Sequence, residues 1–222
     1  MEQRSEDGVL VDQIETTGTG TRRERLRIMM RQDILDAARQ IVQNSGFKDL
    51  SMRALARAVG VTAPTLYDYF ASKDAVLDAL YLEGVRGLRR DFDEIAACQV
   101  NSAQKLNKIA HAYRHFSATQ TELFMLVFSR VDAAYRPGET EREECKALMI
   151  PILQIVVEAI ENGSMRPCDP LAAGHFLWMT VHGFVMLEVN MVLGDCPPDE
   201  QRAQFEECLE MLADGFRPIV PV

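Results

Sequence analysis

The 222-residue chain is poor in the residues that build metal centres and covalent scaffolds: it has four histidines, five cysteines and one tryptophan. The cysteines (Cys98, Cys145, Cys168, Cys196, Cys208) are odd in number, widely spread and contain no C-x-x-C pair, which excludes a disulfide framework and a zinc site of the usual spacing. No apolar run reaches the roughly 18–20 residues of a membrane span, so no membrane partner is expected. The N-terminus opens with acids and lacks the apolar core of a signal peptide, so a cytoplasmic protein with reduced thiols is expected. No Gly-rich phosphate loop and no nucleophile–base–orienter set occurs, so the chain is read as non-enzymatic and free of cofactors. Strand alternation and internal repeats are missing too. Apolar residues instead recur at helical spacing between Gly, Pro, Asn and Ser breaks, which predicts an all-α fold of about nine helices.

What is present first shows in the charge. The net charge is −9, yet it is unevenly placed. Residues 1–21 carry one Arg and five acids, residues 22–73 carry ten Lys+Arg and five acids, and residues 74–222 carry 13 and 23. A tail of such polar composition cannot bury a core, so residues 1–21 are expected to be disordered. The basic excess is confined to 22–73, the footprint of a nucleic-acid-binding end on an acidic protein. Arg22, Arg23, Arg25, Arg27 and Arg31 admit two readings, a solvated helix face or a basic arm reaching phosphates or the minor groove.

Within that segment, Ile34, Leu35, Ala38, Ile41 and Val42 form one helical stripe, ended at Asn44-Ser45-Gly46. Ser51 can cap a second helix whose buried face is Met52, Leu55, Ala56 and Val59. Gly60 permits a tight turn, Thr62 can cap a third helix with Pro64 in its first turn, and Leu66 and Phe70 form that helix's buried pair. Ser72 can cap a long fourth helix running to about Ala97. Two short helices joined by a Gly-containing turn make a helix-turn-helix, whose second member enters the DNA major groove. Its outer side carries Thr62, Ala63, Thr65, Tyr67, Asp68 and Tyr69, short hydroxyls and phenols suited to phosphate oxygens and base edges. Either tyrosine can instead be a half-buried packing residue. Arg53 is long enough to reach a guanine edge or a phosphate. Lys73 opens the fourth helix, where a cation opposes the helix dipole unless an anion docks beside it.

The stretch from Ser51 to Leu80, S-M-R-A-L-A-R-A-V-G-V-T-A-P-T-L-Y-D-Y-F-A-S-K-D-A-V-L-D-A-L, resembles the TetR family of bacterial one-component regulators. The core T-L-Y-x-Y-F-x-x-K-x-x-L carries most of the likeness, which spans about residues 30–82. The resemblance implies a homodimer on a palindromic operator of double-stranded DNA, with Ser51, Arg53, Thr62, Thr65, Tyr67, Tyr69 and Lys73 as DNA contacts. It divides the chain into a tail (1–21), a helix-turn-helix domain (22–75) and a larger helical domain (76–222) that binds a small ligand and dimerises. Gly163 to Pro170 resembles the turn before the penultimate helix of such proteins, and Trp178, His182 and Gly183 resemble the W…HG pattern of one subgroup.

The C-terminal helices are rich in aromatic and sulfur-bearing side chains, and the chain has 11 Met, which suits an adaptable pocket. The candidate lining for a small hydrophobic or amphipathic ligand is Phe116, Met125, Phe128, Met149, Trp178, Met179 and His182; ordinary core packing is the alternative for each. His111 and His115 stand at i, i+4 with no third ligand to complete a metal site. A segment near 139–162 contains Pro151, which should kink or divide it. Phe205, Leu209, Leu212 and Phe216 form an apolar stripe on the last helix, packing either within the chain or, on the family pattern, against a partner. The composite expectation is a repressor released from its operator by a small molecule. The alternative is a DNA-bound interaction protein whose C-terminal domain recruits a protein partner; a closed, fully packed core would favour it, and a roomy cavity would count against it.

Overall fold

The structure, a computed structural model, describes residues 21–193 and 196–218. Those residues form ten helices: α1 (Arg22–Ser45), α2 (Met52–Ala58), α3 (Ala63–Tyr67), α4 (Lys73–Ala96), α5 (Ser102–Thr119), α6 (Thr121–Phe128), α7 (Glu139–Lys146), α8 (Met149–Glu161), α9 (Pro170–Val189) and α10 (Pro198–Gly215). No strand occurs among them. The tenth helix comes from the segment holding Pro151, which divides into α7 and α8. Pro151 lies in the first turn of α8, where its missing N–H has no helical partner to lose. Except for Thr21, the expected N-terminal tail lies outside the described residues.

Helix starts follow side-chain capping. Thr21 and Glu24 form a capping box, so α1 begins at Arg22 and the arginine-rich stretch is helical rather than an extended arm. Ser51 Oγ accepts from Ala54 N at 3.1 Å, Thr62 Oγ1 from Thr65 N at 3.4 Å, and Ser72 Oγ from Ala75 N at 3.1 Å, which starts α2, α3 and α4 at the anticipated places. Gly60 sits between α2 and α3 at φ +72°, a left-handed conformation costly for a residue with a Cβ. α3 is shorter than its pattern suggests; Asp68 and Tyr69 follow it as a turn, and Phe70 N beyond them is still bonded to Leu66 O.

One core runs the length of the chain, and α4 is its axis. Val76, Leu77, Leu80, Tyr81, Val85, Leu88 and Phe92 are buried on this helix. α1, α5, α6, α7 and α8 all pack on it. Its polar edge is tied down as well. Arg39 of α1 bonds Glu83, Arg86 bonds Glu144 of α7 at 2.9 Å, and Arg89 donates to Ala147 O at 2.6 Å. At Gly84 a Cβ would lie 3.3 Å from Leu123 Cβ and 3.4 Å from the Phe116 ring, so α4 and α6 approach closely there.

α9 packs against α8, α5 and α10. By length and composition alone, at a mean hydropathy of 1.2, it is apolar enough to cross a membrane. It nevertheless carries Glu188, which takes a bidentate pair from Arg114 of α5 at 2.6–2.8 Å. Such a partly buried, two-bonded ion pair fixes the mutual register of α5 and α9.

The last helix corrects one expectation. Phe205 is fully buried within the chain, edge-on to His111 and beside Phe184, with the Arg114 guanidinium 4.9 Å from its ring centre. Leu212 is buried likewise, and Leu209 and Phe216 are partly buried. The stripe therefore faces this chain's own helices, because α10 lies over α5 and α9 and has no other apolar side to give them. The large apolar residues that do face outward on these two helices are Leu171, Phe176, Met179, Leu187 and Met211.

Leu66, with no exposed surface, is the buried anchor of the five-residue α3. Leu66→Ala should cost about 2–5 kcal/mol of stability in a urea titration. A loss below about 1 kcal/mol would mean that α3 is held by its turns rather than by its core contact.

Candidate nucleic-acid interface and ligand cavity

α3 presents Thr62, Ala63, Pro64, Tyr67 and Asp68 to solvent while Leu66 and Phe70 point inward. Tyr67 is 53% exposed and Tyr69 is partly buried, so the two tyrosines divide between an outward and a packing role. Thr62 and Thr65 share a hydroxyl hydrogen bond of 2.9 Å on the same face. Ser51 and Arg53 are exposed at the start of α2, and Arg57 is exposed near its end. The outer surface of α2 and α3 thus joins hydroxyls, a phenol and two guanidinium groups, with Arg22, Arg23, Arg25 and Arg27 exposed on the first turns of α1.

Arg31 departs from that basic group. Its Nη1 donates to Tyr69 O at 2.6 Å and its guanidinium lies 4.1 Å from the centre of the Phe70 ring. It fastens the end of α3 to α1. No pattern in the sequence marks this role, since the partners are 38 residues apart.

Lys73 is also engaged. Its Nζ donates to Asp132 Oδ2 at 2.8 Å and to Phe47 O at 3.2 Å. The hydrogen bond from Lys73 holds the Asp132 carboxyl below the usual range, helped by the amide of Ala134, which donates to Asp132 Oδ1 at 2.9 Å. Asp132 belongs to the connection between α6 and α7. Three residues on, the Tyr135 hydroxyl donates to Asp78 Oδ1 at 2.9 Å. The 129–138 connection therefore grips the first two turns of α4 twice, once through an ion pair and once through a phenol. The anion expected beside Lys73 is present, supplied by the chain itself.

A cavity of about 880 Å³ lies between α5, α8, α9 and α10 and reaches α4 at Phe92. Its inner wall is apolar: Phe92, Ile109, Tyr113, Ile152, Leu177, Val181 and Leu212. Trp178 lines it, as do Leu209 and Phe216. The other six anticipated lining residues do not. Phe116 is buried in an aromatic cluster with Phe124, Phe128 meets Tyr113 and His182 edge-on, and Met179 is 57% exposed. Met149 packs toward Gly174 where α8 crosses α9, and Met125 sits beside Ser129.

His182 stands one step behind the wall. Its Nδ1 is 2.6 Å from the Tyr113 hydroxyl, and its ring stacks on Trp178 with centroids 5.2 Å apart. Burial pushes the His182 pKa down and that of Tyr113 up, so both are neutral near neutral pH and the phenol donates to Nδ1. His111 lies 3.3 Å from Glu206, while His115 is exposed. Among the described residues no group of three or more His, Cys, Asp or Glu could hold a metal ion. The five cysteines are unpaired.

Comparison with known proteins gives these two regions separate matches. The family described as "Bacterial regulatory proteins, tetR family" matches residues 34–80, and "Tetracyclin repressor-like, C-terminal domain" matches residues 106–212. The HTH-type transcriptional regulator YobS of Bacillus subtilis, itself uncharacterized, is 28% identical over 156 residues, covering 69% of this chain and 76% of YobS. A structure of a protein of unknown function from Rhodococcus sp. RHA1 superposes with a TM-score of 0.73 at 25% identity, covering 85% of this chain and 95% of that one. The transcriptional regulator FadR from Bacillus subtilis, solved in complex with stearoyl-CoA, has a TM-score of 0.66 at 19% identity, covering 84% and 99%, which is a likeness of fold.

The buried neutral His182 predicts a pH dependence. Its folded pKa lies below the ordinary 6.5, so the unfolded chain binds the proton first as the pH falls. Stability contributed by the neutral ring is complete above pH 6.5 and is lost as the pH falls from there through the folded value. Thermal unfolding scanned from pH 8 to 5 should show this loss, and His182→Gln should flatten it. An equally steep decline in the variant would assign the effect to other groups.

Proposed function

The chain belongs to the TetR family of bacterial regulatory proteins, DNA-binding regulators of transcription, and from that premise we propose that it acts as a homodimeric, cytoplasmic repressor released from a palindromic operator by a small molecule. The observation that carries the reading is the pairing of an exposed hydroxyl-and-arginine face on α2 and α3 with a separate, partly open cavity, both joined to α4. In this reading residues 22–75 form the DNA-binding domain and residues 76–222 the effector domain. Ser51, Arg53, Thr62, Thr65 and Tyr67 contact the operator directly, Tyr69 supports them, and Lys73 meets a phosphate once Asp132 gives it up.

The dimer in this reading forms on the outward face of α9 and α10, through Phe176, Met179, Leu187 and Met211 with the partly buried Leu209 and Phe216 at its edge. Exposed large apolar side chains concentrated on two adjacent helices favour such a contact, because burying them recovers about 25 cal/mol for each Å² of apolar surface. The cavity supports a small-molecule effector over the recruitment of a protein partner, since about 880 Å³ of largely apolar concave space suits a small ligand. FadR, which shares the fold, was solved holding stearoyl-CoA.

Release works through α4. Phe92, near the end of this helix, lines the cavity, and Lys73, at its start, stands beside the DNA-binding face. A ligand that fits the cavity better in one setting of α4 shifts the population toward that setting, and only this difference in affinity can move the recognition helices. Asp132 acts in the same exchange as a competitor, since its carboxylate and an operator phosphate cannot both hold one ammonium.

The test is selection of bound duplexes from a random DNA pool, followed by mobility shifts on the selected site. A palindromic sequence should emerge, and its absence would remove the operator reading. Arg53→Ala should weaken binding by about 1–3 kcal/mol if it reads a base, and Tyr67→Ala should weaken it about tenfold. Asp132→Asn should act oppositely, tightening operator binding and steepening its salt dependence by about one phosphate contact. Unchanged affinity and slope in Asp132→Asn would exclude the competition for Lys73.

A further inference from the structure

The walls and mouth of the cavity restrict what it can hold. The buried lining residues are uncharged: Tyr113 pairs with the His182 behind it as a neutral couple, while Asn101, Gln104, Asn107 and Ser164 line the cavity from exposed positions. A charged head placed against the buried residues would be taken out of water with no counter-ion, which disfavours it. Charged side chains occur in the lining only at Lys108 of α5 and at Glu206 and Glu210 of α10, where Lys108 and Glu210 are exposed. The mouth is thus slightly acidic. Recognition of phosphate groups calls for the reverse, several arginines or lysines converging on the anion. The nearby cations are already committed: Lys105 to Glu158 at 2.9 Å, and Arg114 to Glu188.

We propose that the cavity takes an uncharged, largely apolar molecule, and that nucleotide thioesters and free carboxylates are poor occupants. This rests on the reading of the cavity as the effector site. It sets the ligand class of this chain apart from the stearoyl-CoA with which FadR was solved.

The only tryptophan of the chain, Trp178, lines the cavity and reports its occupancy by fluorescence. Four compounds with the same ten-carbon chain vary the head alone: 1-decanol, decanoate, decanoyl-CoA and decyltrimethylammonium, each kept below its micelle concentration. 1-Decanol should change the Trp178 emission at a concentration about tenfold or more below that of any charged compound. Decanoate, decanoyl-CoA or the ammonium acting at an equal or lower concentration would overturn the uncharged class while leaving an effector site in place. No change with any of the four would remove the effector site itself. A second variant tests the mouth: Glu210→Lys, at an exposed position, should improve decanoyl-CoA about fivefold and leave 1-decanol within about twofold. Equal shifts for both compounds, or none for decanoyl-CoA, would count against the electrostatic argument.

Discussion

The buried face of α4 is the constraint from which the other arrangements follow. One helix of 24 residues runs through the single core, from Val76 and Leu77 near its start to Leu88 and Phe92 near its end. Helices packed on such a shared rigid element cannot be set independently. The ion pairs along its edge, from α1 through Arg39 and to α7 through Arg86, extend the same restriction to its rotation. The connection from 129 to 138 then closes on its first turns through Lys73 and Asp78. The position of the recognition helix is consequently a property of the whole chain.

Electrostatics give that arrangement its polarity. The acidic C-terminal bulk would repel DNA at long range, and the basic residues are gathered where α1 to α3 end the molecule. Asp132 is the point at which the acidic part reaches into the basic one. A carboxylate held by a lysine and an amide remains charged well into acid, so the contact persists across the physiological range.

Local determinants were readable from the residues alone. Ser51, Thr62 and Ser72 cap helices because the bond they make spans three residues, and the apolar stripe of α1 lies on the buried face because its period is that of the helix. The outward face of α3 followed from its inward pair. Contacts between distant parts of the chain left no such trace. The partners in Lys73–Asp132 are 59 residues apart and those in Tyr113–His182 are 69 apart, and no period connects them. The stripe on α10 shows the general limit: its apolarity was plain, but apolarity does not name a partner, and Phe205 found Phe184 and His111 in its own chain. Aromatic and sulfur-bearing residues crowd the C-terminal helices but do not by themselves place the cavity, because packing density decides which of them touch one another and which touch nothing.

The close approach at Gly84 limits how this assembly can move. With α4 and α6 in contact at van der Waals distance, and Leu123 and the Phe116 ring seated where a side chain would otherwise stand, sliding one helix along the other would drive backbone into side chain. Lys73 and Phe92 stand 11 and 8 residues to either side of that point, so a tilt of α4 as a rigid rod about Gly84 would carry its two ends by similar amounts in opposite senses.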